Sequence, residues 1–359
     1  MGDSRSSRGL AQVIESESAE VAADTETRQY GFVHSALIYH SQQEFLDLVG
    51  RFVGDGLASG EAVLLAVPPE TLALLQGELY DGEALPADVY MTDVTEAARN
   101  PSRFMAMEGA FIDEHPDRRV RIVSQLAWPG RTEEEFVACI EHEALVNTAM
   151  DAYPATSLCL YDASAIGDEV LMDARATHPL LWKSGALHRS PDYAPNEVLQ
   201  RCNQPLAANP GAVTYMVRKS ADLRPARSFA VDYAGWMGLS QECIEDLQLV
   251  ATELATNSLM YTGGACRLAF WKDDGYLVCE ARDTGQLDDP LVGRLDPGPC
   301  GPPAAACTWS TPFRTWCART PPGPVRRFRR ICASSRRPVR RGNKRPAGKG
   351  IRRVAGVFG

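Results

Sequence analysis

The sequence lacks several features that would assign it quickly to a class. It contains no apolar run of the roughly 20 residues that a membrane-spanning helix needs, and its ten cysteines include no Cys-x-x-Cys pair. The opening segment, Met1 to Thr27, is polar and has no apolar centre, so it does not resemble a secretory signal. We therefore expect a disordered tail over residues 1–28 and a cytoplasmic protein without a membrane partner.

The cysteine pattern also excludes paired metal spacing along the chain. Four cysteines lie in apolar stretches and are expected to be reduced core thiols; they are Cys139, Cys159, Cys243 and Cys279. A Gly-x-x-x-x-Gly-Lys-Ser/Thr loop is absent as well, which excludes the common phosphate-binding loop.

Charge is distributed unevenly. The net charge is −9, yet 15 of the 37 basic residues follow Leu295, where the only acid is Asp296. An acidic body argues against nucleic acid as the main partner. The basic stretch from Arg326 to Arg353 keeps a nucleic-acid function open, but it has no pattern, so we rank that alternative last.

The first half alternates strand and helix patterns. Two capping boxes, Ser41 with Glu44 and Thr132 with Glu135, open predicted helices. The predicted apolar strands are Phe32 to Tyr39, Ala62 to Val67, Val120 to Ser124 and Ser157 to Tyr161. This alternation predicts an α/β domain over residues 29–189 with a doubly wound, mainly parallel sheet.

A Pro-, Asn- and Ala-rich stretch, residues 190–212, is predicted to be a linker. In the following domain, residues 213–294, Ser240 is expected to cap a long helix. Two strands, Arg267 to Trp271 and Tyr276 to Arg282, follow and are joined as a hairpin by Asp273-Asp274-Gly275.

The second domain carries the clearest chemistry. Glu253 and Asn257 stand four residues apart and so share one helix face, and Asp283-Thr284-Gly285 directly follows a predicted strand. Asparagine can ligate Mg²⁺, and glutamate can deprotonate a nucleophile. Each motif alone is more often a solvated helix face or an ordinary turn, but their order around a hairpin favours a site.

The stretch Leu249 to Ser258 resembles the N-box of the anti-sigma-factor serine kinases, which belong to the histidine-kinase-like (GHKL) ATPases. The resemblance implies a truncated α/β-sandwich domain, with ATP and Mg²⁺ as cofactors. It further implies that Asn257 holds Mg²⁺, that Glu253 is the catalytic base and that Asp283, with Gly285, binds adenine. The residues from Pro205 to Asp222 are too few for the phospho-accepting helix pair of a histidine kinase.

One part of the family pattern is missing. These ATPases bind phosphates with a second glycine box, Gly-x-Gly-Leu-x-Leu-Val, and no such segment can be found. Composition changes near Leu295, and residues 295–359 are predicted to be an irregular basic tail. If the codons of Ala304 to Thr311 are read in the frame that starts at the third base of each codon, the genetic code permits the peptide Arg-Gly-Leu-His-Leu-Val-Asn. We interpret the tail as a frameshifted reading of the family's ending, and we expect ATP binding to be weak or absent.

The first domain has short motifs of its own. His34 to Tyr39, Gly56 to Glu61, Cys159 to Asp162 and His178-Pro179 resemble the MEDS sensory family. This resemblance implies that the domain senses a small ligand or a partner. The candidate pocket residues are His34, Tyr39, Tyr161 and His178, although a structural role is equally open for the two histidines. His142, between Glu141 and Glu143, is interpreted as part of a solvated helix face.

Two functions of different class follow. The first is a signal-responsive anti-sigma regulatory factor with an ATP-binding serine-kinase-type domain, impaired by loss of the second glycine box. The alternative is a non-catalytic regulator that sequesters a sigma factor or an anti-sigma antagonist. The expected partners are that sigma factor or antagonist and an unknown small ligand at the sensory domain, and a homodimer is left open.

Overall fold

A computed structural model describes residues 31–80, 85–99, 101–202, 209–262, 264–273, 276–285, 291, 314–318 and 326–333. The predicted disordered tail, residues 1–28, lies outside these ranges. Within them, no helix combines the length and the apolar character that crossing a membrane would require.

The first domain is built on a seven-stranded sheet of order β3-β2-β4-β5-β1-β6-β7. Every pairing is parallel except that of the edge strand β7 with β6, which confirms the predicted mainly parallel sheet. The strands are β1 (Val33–Tyr39), β2 (Ala62–Val67), β3 (Val89–Asp93), β4 (Val120–Ser124), β5 (Ala155–Asp162), β6 (Leu180–Lys183) and β7 (Ala186–Arg189).

Helices cover both faces of this sheet and create two apolar cores. They are α1 (Gln42–Ala58), α2 (Pro69–Tyr80), α3 (Pro101–Asp113), α4 (Glu133–Ala149), α5 (Asp168–Thr177) and α6 (Pro195–Cys202). Ser41 caps α1 by accepting from the Glu44 amide, and the capping box of Thr132 and Glu135 is complete at the start of α4. Local capping chemistry therefore located both helix starts from sequence.

The predicted linker is not wholly irregular. Helix α6 lies within residues 190–212 and packs on α4 and α5. Its Val198 is 1% exposed, so burial of one apolar side chain fixes a helix that a Pro- and Asn-rich composition obscured.

The second domain has a five-stranded sheet of order β11-β12-β10-β9-β8, and all of its pairings are antiparallel. Its strands are β8 (Val213–Val217), β9 (Cys266–Asp273), β10 (Tyr276–Asp283), β11 (Arg314–Ala318) and β12 (Arg326–Ala333). Helices α7 (Leu223–Trp236) and α8 (Gln241–Thr262) bury Ala230, Leu254 and their neighbours against it. The predicted hairpin is confirmed by the β9–β10 pairing.

The C-terminal tail departs from the expectation of an irregular segment. Strand β12 pairs along the whole of β10, from Tyr276 opposite Ala333 to Asp283 opposite Arg326, and β11 pairs with β12. Backbone pairing with an otherwise open sheet edge thus organises two tail segments for which sequence periodicity gave no strand signal.

Candidate functional site

Helix α8 carries the predicted N-box in its C-terminal half. Glu253 and Asn257 are one turn apart, and both side chains are partly buried. The sheet-facing side of the same helix is apolar and includes Leu254 and Ala255. Packing of this side on β9 and β10 fixes the helix rotation, and so determines which way the N-box pair faces.

Asp283, at the end of β10, is tied to this helix. Its Oδ2 accepts a hydrogen bond from Ser258 Oγ at 2.5 Å, and its Oδ1 accepts one from the Gly285 amide at 2.8 Å. The carboxylate is only 4% exposed. An ionised carboxylate has further lone pairs, so Asp283 is held in place while retaining capacity to accept a ligand amino group. Ser258 follows Asn257 directly, so Asp283 contacts the helical turn that bears Asn257.

Gly285 is required by close packing. A Cβ built at this position would lie 2.3 Å from Thr262 Cγ2, well inside contact distance. The Thr262 side chain is itself held, because its hydroxyl donates to the Ser258 carbonyl at 2.7 Å. The segment after β10 can therefore approach the end of α8 only with glycine at position 285.

The segment predicted to supply a shifted second glycine box, Ala304 to Thr311, lies outside the described residues. The site that the structure describes is therefore the N-box helix and the Asp283 turn, which correspond to the adenine and Mg²⁺ side of the implied nucleotide site.

The first domain gathers a second, fully buried constellation. Glu143 Oε2 lies 3.2 Å from His34 Nε2, 3.4 Å from His178 Nε2 and 3.5 Å from Cys159 Sγ. All four side chains are at most 4% exposed. They come from β1, α4, β5 and the residue after α5, so only the tertiary fold brings them together.

Burial is the largest influence on the pKa of two members of this constellation, His34 and Cys159. Burial, together with the neighbouring His178, lowers the pKa of His34 to about 4. Burial and the Glu143 charge raise the pKa of the Cys159 thiol well above its usual range. At neutral pH, without an added cation, His34 is thus neutral and Cys159 is a thiol.

The four predicted pocket residues divide between two places. The His34 and His178 rings are 4.0 Å apart, and the Tyr161 ring lies 5.6 Å from His178. Tyr39 instead joins the apolar core on the opposite face of the sheet, with its ring 5.1 Å from Phe45. The expectation of one pocket containing all four residues is therefore corrected: alternation along β1 directs positions 34 and 39 to opposite faces.

Tyr39 borders a cleft of about 670 Å³ at the carboxyl ends of the parallel strands. Asp162 lies in its wall, and the Thr71 hydroxyl donates to Gln125 there at 2.7 Å. Phe45 and Trp128 add apolar surface. In a doubly wound sheet, helices leave neighbouring strands toward opposite faces at such a point, and ligands bind in the resulting crevice.

The interpretation of His142 as a solvated residue is wrong. His142 is 1% exposed, and its Nε2 lies 3.6 Å from Glu108 Oε2. Sequence reasoning also missed Glu143 and Cys159 as site residues. One sequence pattern could have indicated Glu143 as a site residue: Glu143 and Asn147 show the same four-residue spacing as Glu253 and Asn257 on α8.

Comparison with known families agrees with this two-domain description. Residues 33–179 match the family model described as the methanogen/methylotroph DcmR sensory domain, MEDS. Residues 216–305 match that of the histidine kinase-like ATPase domain. No curated protein matches the chain. The chain therefore carries a MEDS sensory domain followed by a histidine-kinase-like ATPase domain, which is the composition of a signalling regulator with a domain of an ATP-binding family.

Proposed function

We propose that the chain is a signal-responsive anti-sigma regulatory factor whose serine-kinase-type ATPase domain is impaired. In this proposal Asp283 accepts from the adenine amino group, Asn257 ligates Mg²⁺ and Glu253 acts as the general base. The observation that carries it is the Ser258–Asp283 hydrogen bond of 2.5 Å, because it joins the adenine-side carboxylate to the helical turn that bears Asn257.

Impairment follows from the chemistry of the phosphates. Backbone amides and a helix N-terminus must surround the β- and γ-phosphates of a triphosphate. The sequence after Gly285 contains no second glycine box. Losing several charge-assisted hydrogen bonds, each of ~1.5–3 kcal/mol, weakens binding by orders of magnitude.

The signal would enter through the sensory domain. Its cleft of about 670 Å³ at the carboxyl ends of β1, β2, β4 and β5 has the size of a small-molecule site. Polar groups of Gln125 and Asp162 would orient a ligand there, while Phe45 and Trp128 would cover its apolar part.

The missing glycine box also favours a second function, the sequestration of a sigma factor or antagonist without turnover. A partner-binding role needs the surface of the ATPase domain but not phosphate chemistry. The two functions differ in a chain whose reading frame is restored: phosphorylation of a partner that Glu253→Gln abolishes supports the first, and sigma-factor binding in a two-hybrid assay without any phosphorylation supports the second.

Calorimetry with MgATP tests the proposal directly. The chain with its present sequence is expected to bind with a Kd above about 1 mM, a binding free energy weaker than about −4 kcal/mol. A chain in which the reading frame is restored between the codons of Asp283 and Ala304 should gain at least about 100-fold, which corresponds to roughly 2.7 kcal/mol.

Asn257→Ala in the restored chain should abolish that gain, whereas Gln241→Ala at the exposed start of α8 should not change it. Micromolar affinity for MgATP in the chain with its present sequence would refute impairment. Absence of ATP binding in the restored chain would refute the nucleotide site itself.

A further inference from the structure

We infer that the buried constellation of the sensory domain binds one divalent transition-metal ion, with His34, Glu143, Cys159 and His178 as its ligands. Imidazole nitrogen, thiolate sulfur and carboxylate oxygen form the mixed donor set typical of Zn²⁺ sites. The inference is independent of nucleotide binding by the ATPase domain.

The distances between donor atoms support this assignment. His34 Nε2 is 3.2 Å from Glu143 Oε2 and 3.3 Å from Cys159 Sγ. The same Glu143 oxygen is 3.4 Å from His178 Nε2 and 3.5 Å from the sulfur. A tetrahedron with metal–ligand bonds of about 2.0–2.3 Å has edges of about 3.3–3.8 Å. Four of the six donor-to-donor distances therefore match, within about 0.1 Å, the edges of a coordination tetrahedron, and all four donors lie within 4.8 Å of one another.

The tautomer of His34 is fixed by Asn147. The Asn147 Nδ2 group donates to the carbonyls of Glu143 and Thr177, each at 2.9 Å, which orients its Oδ1 toward His34 Nδ1 at 3.0 Å. An amide oxygen can only accept, so the proton of neutral His34 is on Nδ1. The Nε2 lone pair then faces the Glu143 oxygen.

His178 is oriented in the same way. Its Nδ1 donates to the Ala174 carbonyl at 2.7 Å, and its Nε2 is buried with no hydrogen-bond partner among the described residues. Ligating histidines generally donate their outer N–H to a carbonyl or carboxylate in this manner. The Nε2 atoms of both imidazoles thus converge on one carboxylate oxygen, the arrangement in which they can ligate a common cation.

Charge balance points to a divalent ion. Two neutral imidazoles, one carboxylate and one thiolate carry a total charge of −2, which a divalent cation neutralises. Because an unbalanced charge is costly in a buried site, neutrality of the complete cluster suits its enclosure. The Ser124 hydroxyl, which donates to Cys159 Sγ at 3.3 Å, would stabilise the thiolate.

The test uses the full-length chain equilibrated with Zn²⁺ or Co²⁺, dialysed and measured for metal content. Cys159→Ala should lose one equivalent of metal relative to the wild type, and its Co²⁺ form should lose the thiolate-to-cobalt absorption band. Cys139→Ala is the matched control, because Cys139 is a buried thiol of the same domain outside the cluster. Metal bound by the other cysteines contributes equally to both variants, so the difference in their metal content reports on the cluster alone.

Asn147→Leu should weaken Zn²⁺ binding by about 10–100-fold, because it removes the group that orients His34. Near-UV circular dichroism verifies that each variant is folded. Since a variant can fail to fold, absorption of the wild-type Co²⁺ form provides a measurement that needs no mutation. A wild-type chain that holds no metal, a Co²⁺ spectrum without a thiolate band, or equal metal content in Cys159→Ala and Cys139→Ala would each overturn the assignment.

Discussion

Glu143 in the sensory domain and Glu253 in the ATPase domain are both helical glutamates that precede an asparagine by four residues. Glu143 is 1% exposed and lies among side chains of three other segments, while its partner Asn147 orients a histidine. Glu253 and Asn257 remain partly exposed on α8. The same local spacing thus serves an enclosed polar cluster in one domain and an accessible helix face in the other.

This difference shows that burial by the surrounding fold, rather than residue type, decides how much such a Glu–Asn pair contributes to the free energy of unfolding. A buried charge depends on every partner that surrounds it, so removing one group leaves others unsatisfied. A partly exposed pair can exchange its partners for water at little cost. Substitutions at equivalent positions should therefore affect stability very differently in the two domains.

The strongest test of this comparison exchanges the two glutamates for alanine. In the Zn²⁺-loaded chain, Glu143→Ala should destabilise the sensory domain by about 3–5 kcal/mol, because it leaves the charge of the buried metal ion uncompensated. Glu253→Ala should change the stability of the ATPase domain by less than about 1 kcal/mol. Urea unfolding followed by tryptophan fluorescence measures both, and similar effects in the two variants would contradict the comparison.

A smaller effect is expected where the ATPase domain has a buried polar contact of its own. Ser258→Ala removes the donor to the Asp283 carboxylate and should cost about 1.5–3 kcal/mol, as hydrogen bonds to charged groups do. Ser228→Ala, at an exposed position of α7, is the control and should change the unfolding free energy by no more than about 0.5 kcal/mol. The unfolding midpoint of the ATPase domain is the readout. A neutral Ser258→Ala would show that Asp283 is not held by this contact.

The smallest effects concern two glycines and should differ in sign. Gly285→Ala places a methyl group against Thr262 and should destabilise by about 1–3 kcal/mol, with partial recovery in the double variant with Thr262→Ser, which removes the contacting Cγ2. Gly235→Ala, in a helix with open space around it, should stabilise by about 0.5–1 kcal/mol. Thermal unfolding compares the variants, and a tolerated Gly285→Ala would reject the close-packing argument.

Much of the fold could be predicted because its signals are local. Capping boxes at Ser41 and Thr132 located two helices, and apolar runs such as Ala62 to Val67 located buried strands. Alternation of these elements was sufficient for a mainly parallel sheet. The N-box was equally readable, because Glu253 and Asn257 depend only on helical spacing and Asp283 on the end of the following hairpin.

The C-terminal tail shows a limit of this approach. Its Arg-rich composition gave no strand pattern, yet Arg314–Ala318 and Arg326–Ala333 extend the antiparallel sheet. The nucleotide sequence between the codons of Asp283 and Ala304 tests whether the tail is a shifted reading of the family's ending.

The sequence by itself determined the two-domain order, the mainly parallel sheet of the first domain and the long helix that carries the predicted N-box of the second, because these depend on periodicity and spacing within single elements. Only the tertiary structure decided that His34, Glu143, Cys159 and His178 meet, and that Tyr39 lies on the other face of the sheet. The reason is physical: parallel strands and crossover helices bring together residues more than 100 positions apart, and no local pattern records which faces they share.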